Sequence, residues 1–227
     1  MNDRVSFRQH GITLLGLLVV IVILVGVGFL LWPVFKRFSQ GSFEAVCTNN
    51  LRKIGEAVRE YADDFDGIVP PAQWAYGTGP GETVRWNQAL AKYAGSRGGD
   101  AIFHCPAKST SNVGYAVNYR VFCYNVSGAA KQNYTTMRQI YSPAETIYAL
   151  DTGVVTEETK GLEDPLKWKE DTTQDAPVLC RCTKDKFWDQ SPWRPMPRHN
   201  GKVNCLMMDG AVKDYTVDEI LKRKEAK

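Results

Sequence analysis

The stretch GITLLGLLVVIVILVGVGFLL, Gly11 to Leu31, decides how the chain is read: 21 consecutive residues carry no charge, and 16 of them are Leu, Ile, Val or Phe. A helix rises about 1.5 Å per residue, so the run spans roughly 30 Å, the thickness of a bilayer's hydrocarbon core. Each central Leu, Ile, Val or Phe favours insertion by about 0.3–0.6 kcal/mol, and no charge subtracts from the sum. A cleaved secretory signal would have a shorter apolar region, about 7–15 residues, ending in a small-residue cleavage motif. Here the run ends in Trp32-Pro33-Val34-Phe35-Lys36-Arg37, an interfacial aromatic followed by two cations. The reading is a membrane-spanning helix, with a buried core helix as the bland alternative.

Beyond Arg37 the 227-residue chain leaves enough sequence for one domain with a proper core. Net charge is +3, with acidic and basic residues interspersed, so nothing points to a nucleic-acid partner. All six cysteines, Cys47, Cys105, Cys123, Cys180, Cys182 and Cys205, follow the span. An even set on one side of a membrane favours an oxidising compartment and disulfides. Six cysteines allow fifteen connectivities and spacing selects none. A bond from Cys47, on the buried face of a helix, to Cys105 is the preferred pairing.

Cys47, Leu51, Ile54, Val58 and Tyr61 recur at steps of four and three, one face of a helix that continues the apolar run. It should stop near Asp63-Asp64-Phe65-Asp66-Gly67, with Pro70-Pro71 beyond. Asp64 and Asp66 could begin a calcium loop, but no distal glutamate completes one, and a solvated helix end is favoured. Trp86, Leu90, Tyr93 and Ala94 mark a short helix, while Val113 to Cys123 alternates as a strand with one buried face, Asn118 and Arg120 pointing out. Thr146 to Leu150 is a second strand, and 157–197 reads as a long surface excursion stapled by Cys180 and Cys182. Lys202–Met208 and Ala211–Tyr215 should form a hairpin about a type I′ Asp209-Gly210 turn. Thr216-Val217-Asp218-Glu219 is a capping box opening a last helix.

His104, Cys105, His199 and Cys205 could be gathered into a zinc site, but the paired Cys-x-x-Cys spacing is absent, so disulfides are preferred and no metal or cofactor is expected. A Cys–His nucleophile with His199 as base and Asp209 as orienter would need a free thiol, and no catalytic residues are expected. Instead Asn200-Gly201 should make a turn whose backbone the His199 imidazole caps. Trp74, Trp86, Trp168, Trp188 and Trp193 permit a polysaccharide-binding surface, though such rings are more often core or loop anchors.

Ser6-Phe7-Arg8-Gln9-His10-Gly11 followed by Ile12-Thr13-Leu14-Leu15 resembles the processing site of type IV prepilins and type II secretion pseudopilins. The resemblance implies cleavage after Gly11 by prepilin peptidase on the cytoplasmic face and N-methylation of Ile12. Pro33 falls where many pilins kink their long helix. Gly16 departs from the family, which almost always has glutamate there to neutralise a neighbouring subunit's terminal ammonium, and so suggests a minor subunit or one that polymerises poorly. Cys47-x-x-Asn50-Leu51-x-x-Ile54-Gly55, Tyr61-Ala62-Asp63-Asp64-x-Asp66-Gly67, Phe103-His104-Cys105-Pro106, Ser142-Pro143-Ala144-Glu145-Thr146 and Arg198-His199-Asn200-Gly201 leading to Asp209-Gly210 look like a pseudopilin-like family common in planctomycete-type bacteria.

The expected plan is α+β and pilin-like. It comprises a leader (1–11), a transmembrane helix (12–35), its periplasmic continuation (36–67) and a small antiparallel-sheet head (68–227). The expected role is structural, a pseudopilin of a type II secretion or type IV pilus-like system. Such a subunit sits in the inner membrane with its amino terminus inside, and its partners are the peptidase and other pilin-like subunits. The alternative is an anchored extracytoplasmic module that binds polysaccharide or a surface without polymerising, and polysaccharide or a secreted protein is a further candidate partner.

Overall fold

The computed structural model describes residues 14–75, 83–95, 99–108, 113–119, 121–122, 134–174, 178–184 and 188–223, with 33–40 and 74–75 given as backbone alone. Gly11, Ile12, Cys123 and Arg120 lie outside the described residues. The chain divides into two compact units, Met1–Ser39 and Gln40–Lys227.

Helix α1 (Leu14–Asp64) is 51 residues long and is assigned without a break through Pro33, whose expected kink falls on the backbone-only stretch. In the first unit, Leu14–Trp32 is long and apolar enough to cross a membrane, and none of it is buried by protein. Leu14 and Phe29 are more than four-fifths exposed. So large an apolar surface, uncovered by its own chain, calls for a non-aqueous neighbour.

The second unit begins with the rest of α1, so the residues after Gln40 belong to the head. Cys47, Leu51, Ile54, Ala57 and Val58 are buried, as the four-and-three spacing requires. The helix ends where glycine allows it to: Asp66 and Gly67 take positive φ (51° and 80°), and Gly67 N–H returns to the Ala62 carbonyl at 2.8 Å. Strands β1 (Gln73–Ala75) and β2 (Thr83–Arg85) pair antiparallel and lead into α2 (Trp86–Ala94), which buries Trp86, Leu90 and Ala94.

The main sheet is built from β3 (Tyr115–Asn118), β4 (Ile147–Val154), β5 (Leu179–Cys180), β6 (Trp193–Pro195), β7 (Val203–Met207) and β8 (Val212–Tyr215). Its order is β5-β3-β4-β7-β8, with β6 also paired to β4. The expectation of an antiparallel sheet needs one correction: β5 runs parallel to β3. A parallel neighbour requires a long crossover, and the sequence between β3 and β5 provides it. The expected surface excursion 157–197 is corrected too, since its β5 and β6 join the sheet and Cys180 and Cys182 are buried there.

The sheet is covered on both faces. Tyr115, Val117, Tyr148, Ala149 and Leu206 pack with α1 and α2. Ala116, Ile147, Leu150, Val203 and Met207 pack with Val217 and Ile220 of α3 (Val217–Lys222). Double coverage explains why β3 is buried at every position and does not follow the inside–outside alternation expected of it. Asn118 points into the protein, where its amide donates to the Ile147 carbonyl at 3.2 Å.

The β7–β8 hairpin forms as expected, but its turn differs. Gly210 has φ +89° and its N–H bonds to Met207 O at 2.9 Å, whereas Asp209 is absent from the positive-φ residues, so this is a longer turn with glycine in the left-handed position. The two-residue type I′ turn occurs at Asn200-Gly201 instead, with φ of 51° and 80° and reciprocal backbone bonds between His199 and Lys202. At the end of β8, Thr216 Oγ1 accepts from Glu219 N–H while Glu219 accepts from Thr216 N–H, the expected capping box.

Gly114 marks a close approach of two loops. A Cβ there would lie 2.6 Å from Cys105 Cβ and 2.7 Å from its backbone nitrogen, and Gly114 N–H already holds Phe103 O at 2.8 Å. Gly114→Ala is expected to destabilise the head by about 1–3 kcal/mol. Urea unfolding followed by tryptophan fluorescence measures this, and an unchanged midpoint would mean the Cys105 loop yields freely.

Candidate functional site

Beneath α1, four side chains of four different elements converge. Cys47 comes from the helix's buried face, Cys105 from the turn after the 3₁₀ helix Gly99–Phe103, Asp151 from β4, and His199 from the entry to the Asn200-Gly201 turn. All four are buried, and their sulfur, nitrogen and oxygen atoms lie within 4.8 Å of one another. Cys47 Sγ is 2.7 Å from Cys105 Sγ, Cys105 Sγ is 3.6 Å from His199 Nε2, and that same nitrogen is 3.4 Å from Asp151 Oδ2. Asn50, one turn along α1 from Cys47, donates its amide to the His104 carbonyl at 2.9 Å and pins the Cys105 loop to the helix.

A chain of buried charges continues from Asp151. Its Oδ2 accepts the Asn204 N–H at 3.0 Å, while Oδ1 has no hydrogen-bond partner and faces Arg198 Nη1 at 3.7 Å. The Arg198 guanidinium grips Glu170 with two bonds, 2.9 Å from Nε and 2.6 Å from Nη2, and donates to the carbonyls of Gly114 (3.1 Å) and Thr152 (2.7 Å). Lys108, its side chain wholly buried, lies 3.4 Å from the same Glu170 Oε1 that Arg198 Nη2 holds. Opposite charges alternate along the chain, which offsets the cost of taking each from water.

These surroundings set the protonation states. Burial works against a charged His199, but its hydrogen bonds to Asp151 and Cys105 and the charges of those groups push it up to about 10. Contact with Cys47, burial and the nearby Asp151 charge raise the Cys105 thiol far above its usual range, so it is a poor nucleophile. Arg198 pays a burial penalty yet is held charged by Glu170 and Asp151.

A folded-state value above the roughly 6.5 of free histidine means that the charged imidazole stabilises the fold fully below about pH 6.5 and progressively less as pH rises toward 10. Urea titrations of the full chain in detergent should therefore show about 2 kcal/mol lost between pH 6.5 and 8.5. In His199→Gln that pH dependence should flatten, and an equal slope in the variant would place the titrating group elsewhere.

The residues gathered here differ from those the sequence suggested. Of His104, Cys105, His199 and Cys205, only Cys105 and His199 meet. His104 borders a separate cleft with Asn87 and Asp100, and Cys205 Sγ faces the Val203 carbonyl at 3.7 Å. His199 pairs with Asp151, not Asp209, whose carboxylate accepts from Ala211 N–H at 2.9 Å within the hairpin turn. Nor does the imidazole cap its own turn. Because Nε2 alone faces both Cys105 and Asp151, the ring does not bridge thiol and carboxylate through opposite nitrogens as a nucleophile–base–orienter relay requires. Asp151 was detectable in sequence as a lone carboxylate inside the apolar run from Ile147 to Val155. Glu170, Lys108 and Arg198 gave no such signal.

The other candidates are placed as follows. Asp64 accepts the Tyr93 hydroxyl at 2.7 Å and lies 3.7 Å from Lys92, an ordinary helix-end arrangement. Among the described residues, the acids at 63, 64 and 66 form no group with metal-ligand spacing. Trp86 is core, Trp193 lies on β6, and Trp168 and Trp188 stand 6.3 Å apart around the buried Arg194, whose guanidinium stacks 3.9 Å over Trp188. Trp168 and Trp188 also border a cleft of about 200 Å³ with Lys184, Asp189 and Glu163. The side chain of Trp74 lies outside the described residues. No protein-family model, curated protein or solved structure matches the chain.

Proposed function

We propose that the chain is an anchored, pilin-like structural subunit, a minor pseudopilin of a type II secretion or type IV pilus-like system. It would be cut after Gly11 by prepilin peptidase, N-methylated on Ile12 and held in the inner membrane with its head outside the cytosol. The observation that carries this reading is α1 itself. One helix is uncovered and apolar over Leu14–Trp32, and from Cys47 to Ala62 supplies the buried stripe of an α+β head. A helix that is bare at one end and core at the other suits a subunit that sits in lipid and packs beside like helices. The buried charge chain then serves as internal bracing.

Gly16 is the position at which assembly is tested. Gly16→Glu supplies the acid that a neighbouring subunit's ammonium needs, so cysteine cross-linking between copies, or between this chain and other pilin-like subunits, should rise several-fold in membranes. Unchanged cross-linking, with the protein still processed, would argue against assembly through this helix. The cleft beside Trp168 and Trp188 favours the second reading, an anchored module that binds polysaccharide, because indole faces stack on sugar rings and the bordering acids and amines suit hydroxyls.

A further inference from the structure

We infer that Cys47 and Cys105 are joined in the mature protein by a disulfide that staples α1 to the head. Their sulfurs touch at 2.7 Å, both are buried, and the Asn50–His104 hydrogen bond holds the Cys105 loop against the helix beside them. Gly114 packs so closely on Cys105 that an added Cβ would lie 2.6 Å from the Cys105 Cβ, which further restricts that loop.

The same atoms could be taken for a metal centre, and the geometry decides between the two. Two cysteine sulfurs on a tetrahedral zinc, each about 2.3 Å from the metal, stand about 3.8 Å apart, so the pair would have to separate by about 1 Å. Closing a disulfide moves it the other way, by less. The neighbours agree with a disulfide. The Arg198 cation lies 3.7 Å from Asp151 Oδ1, where it would repel a metal ion, and Asp151 Oδ2 already accepts the Asn204 N–H at 3.0 Å. With the sulfurs joined, Asp151 remains beside the His199 imidazole, 3.4 Å from Nε2.

The bond forms by thiol–disulfide exchange. A disulfide of a protein or glutathione oxidant accepts two electrons and leaves as two thiols, while Cys47 and Cys105 give up two protons and become one cystine. The inference rests on the proposed location of the head, because an oxidising compartment supplies that acceptor.

The full-length protein is isolated from membranes with thiols blocked at lysis, digested without reductant, and mapped by mass spectrometry. Protease accessibility of the head in spheroplasts is scored on the same sample. A linked peptide pair containing Cys47 and Cys105, two hydrogens lighter than the separate peptides, is the expected result. Reduction should then speed proteolysis of the head about tenfold or more, and Cys47→Ser combined with Cys105→Ser should abolish that dependence on reductant. Both thiols alkylated in a head exposed outside the cytosol would overturn the staple and leave the location intact. So would stoichiometric zinc retained by unlinked cysteines. A head shielded from protease would overturn the location. In that case purified protein equilibrated with oxidised glutathione decides the pairing: a Cys47–Cys105 link upholds the geometry and any other pattern rejects it.

Discussion

Arg198→Met is expected to cost the head about 3–5 kcal/mol, a large share of the roughly 5–15 kcal/mol that holds a domain together. The guanidinium bonds Glu170, Gly114 and Thr152 at once, and it faces Asp151 as well. Methionine fills much of the space but leaves Asp151 with His199 and Glu170 with Lys108, takes the guanidinium donor from the Thr152 carbonyl, and leaves the Gly114 carbonyl with the Thr152 N–H. Arg198→Lys restores the charge without the two-pronged grip on Glu170, and should recover part of the loss. Urea unfolding of the full chain in detergent would measure both. A loss below about 1 kcal/mol in the methionine variant would show that water reaches the network and that it is not the brace described above.

The second large effect concerns the anchor. Val20 and Leu24 lie one turn apart in the middle of the apolar run, both more than half exposed. An arginine near the centre of a spanning helix opposes insertion by about 2.5–3.5 kcal/mol, so Val20→Arg with Leu24→Arg in one chain adds about 5–7 kcal/mol. That is comparable to the roughly 5–10 kcal/mol that the apolar residues of the run supply. The double variant should move from the carbonate-resistant membrane fraction to the soluble or aggregated one, whereas Val20→Leu should stay. Retention of the double variant in the membrane would mean that something other than this helix anchors the protein.

Local elements were legible because short-range rules fix them. Trp86–Ala94 forms the helix its spacing implies, Gly67 ends α1, and Thr216 with Glu219 caps α3. Cys47 and Cys105 were paired because a cysteine on the buried face of the helix could tie it to the loop after the short helix, and the structure places their sulfurs 2.7 Å apart. What failed was long-range. Asn118 was assigned to solvent because alternation assumes one wet face, and here α3 and the segment around β5 and β6 cover the second. Glu170 was read as part of a polar excursion, and Arg198 only as the residue leading into the His199-Asn200-Gly201 turn. A charged residue in a loop looks the same in sequence whether it meets water or a buried partner 28 residues away. The asparagine–glycine pair at 200–201 took the tight turn that the aspartate–glycine pair at 209–210 was expected to make, because Gly210 alone carries the left-handed conformation there.

The account stands most directly on the mature amino terminus. Intact-mass and peptide mass spectrometry of the protein from its native membrane should find a chain beginning at N-methylated Ile12. A chain that keeps Met1, or one cut beyond Trp32, would contradict the pilin-like reading.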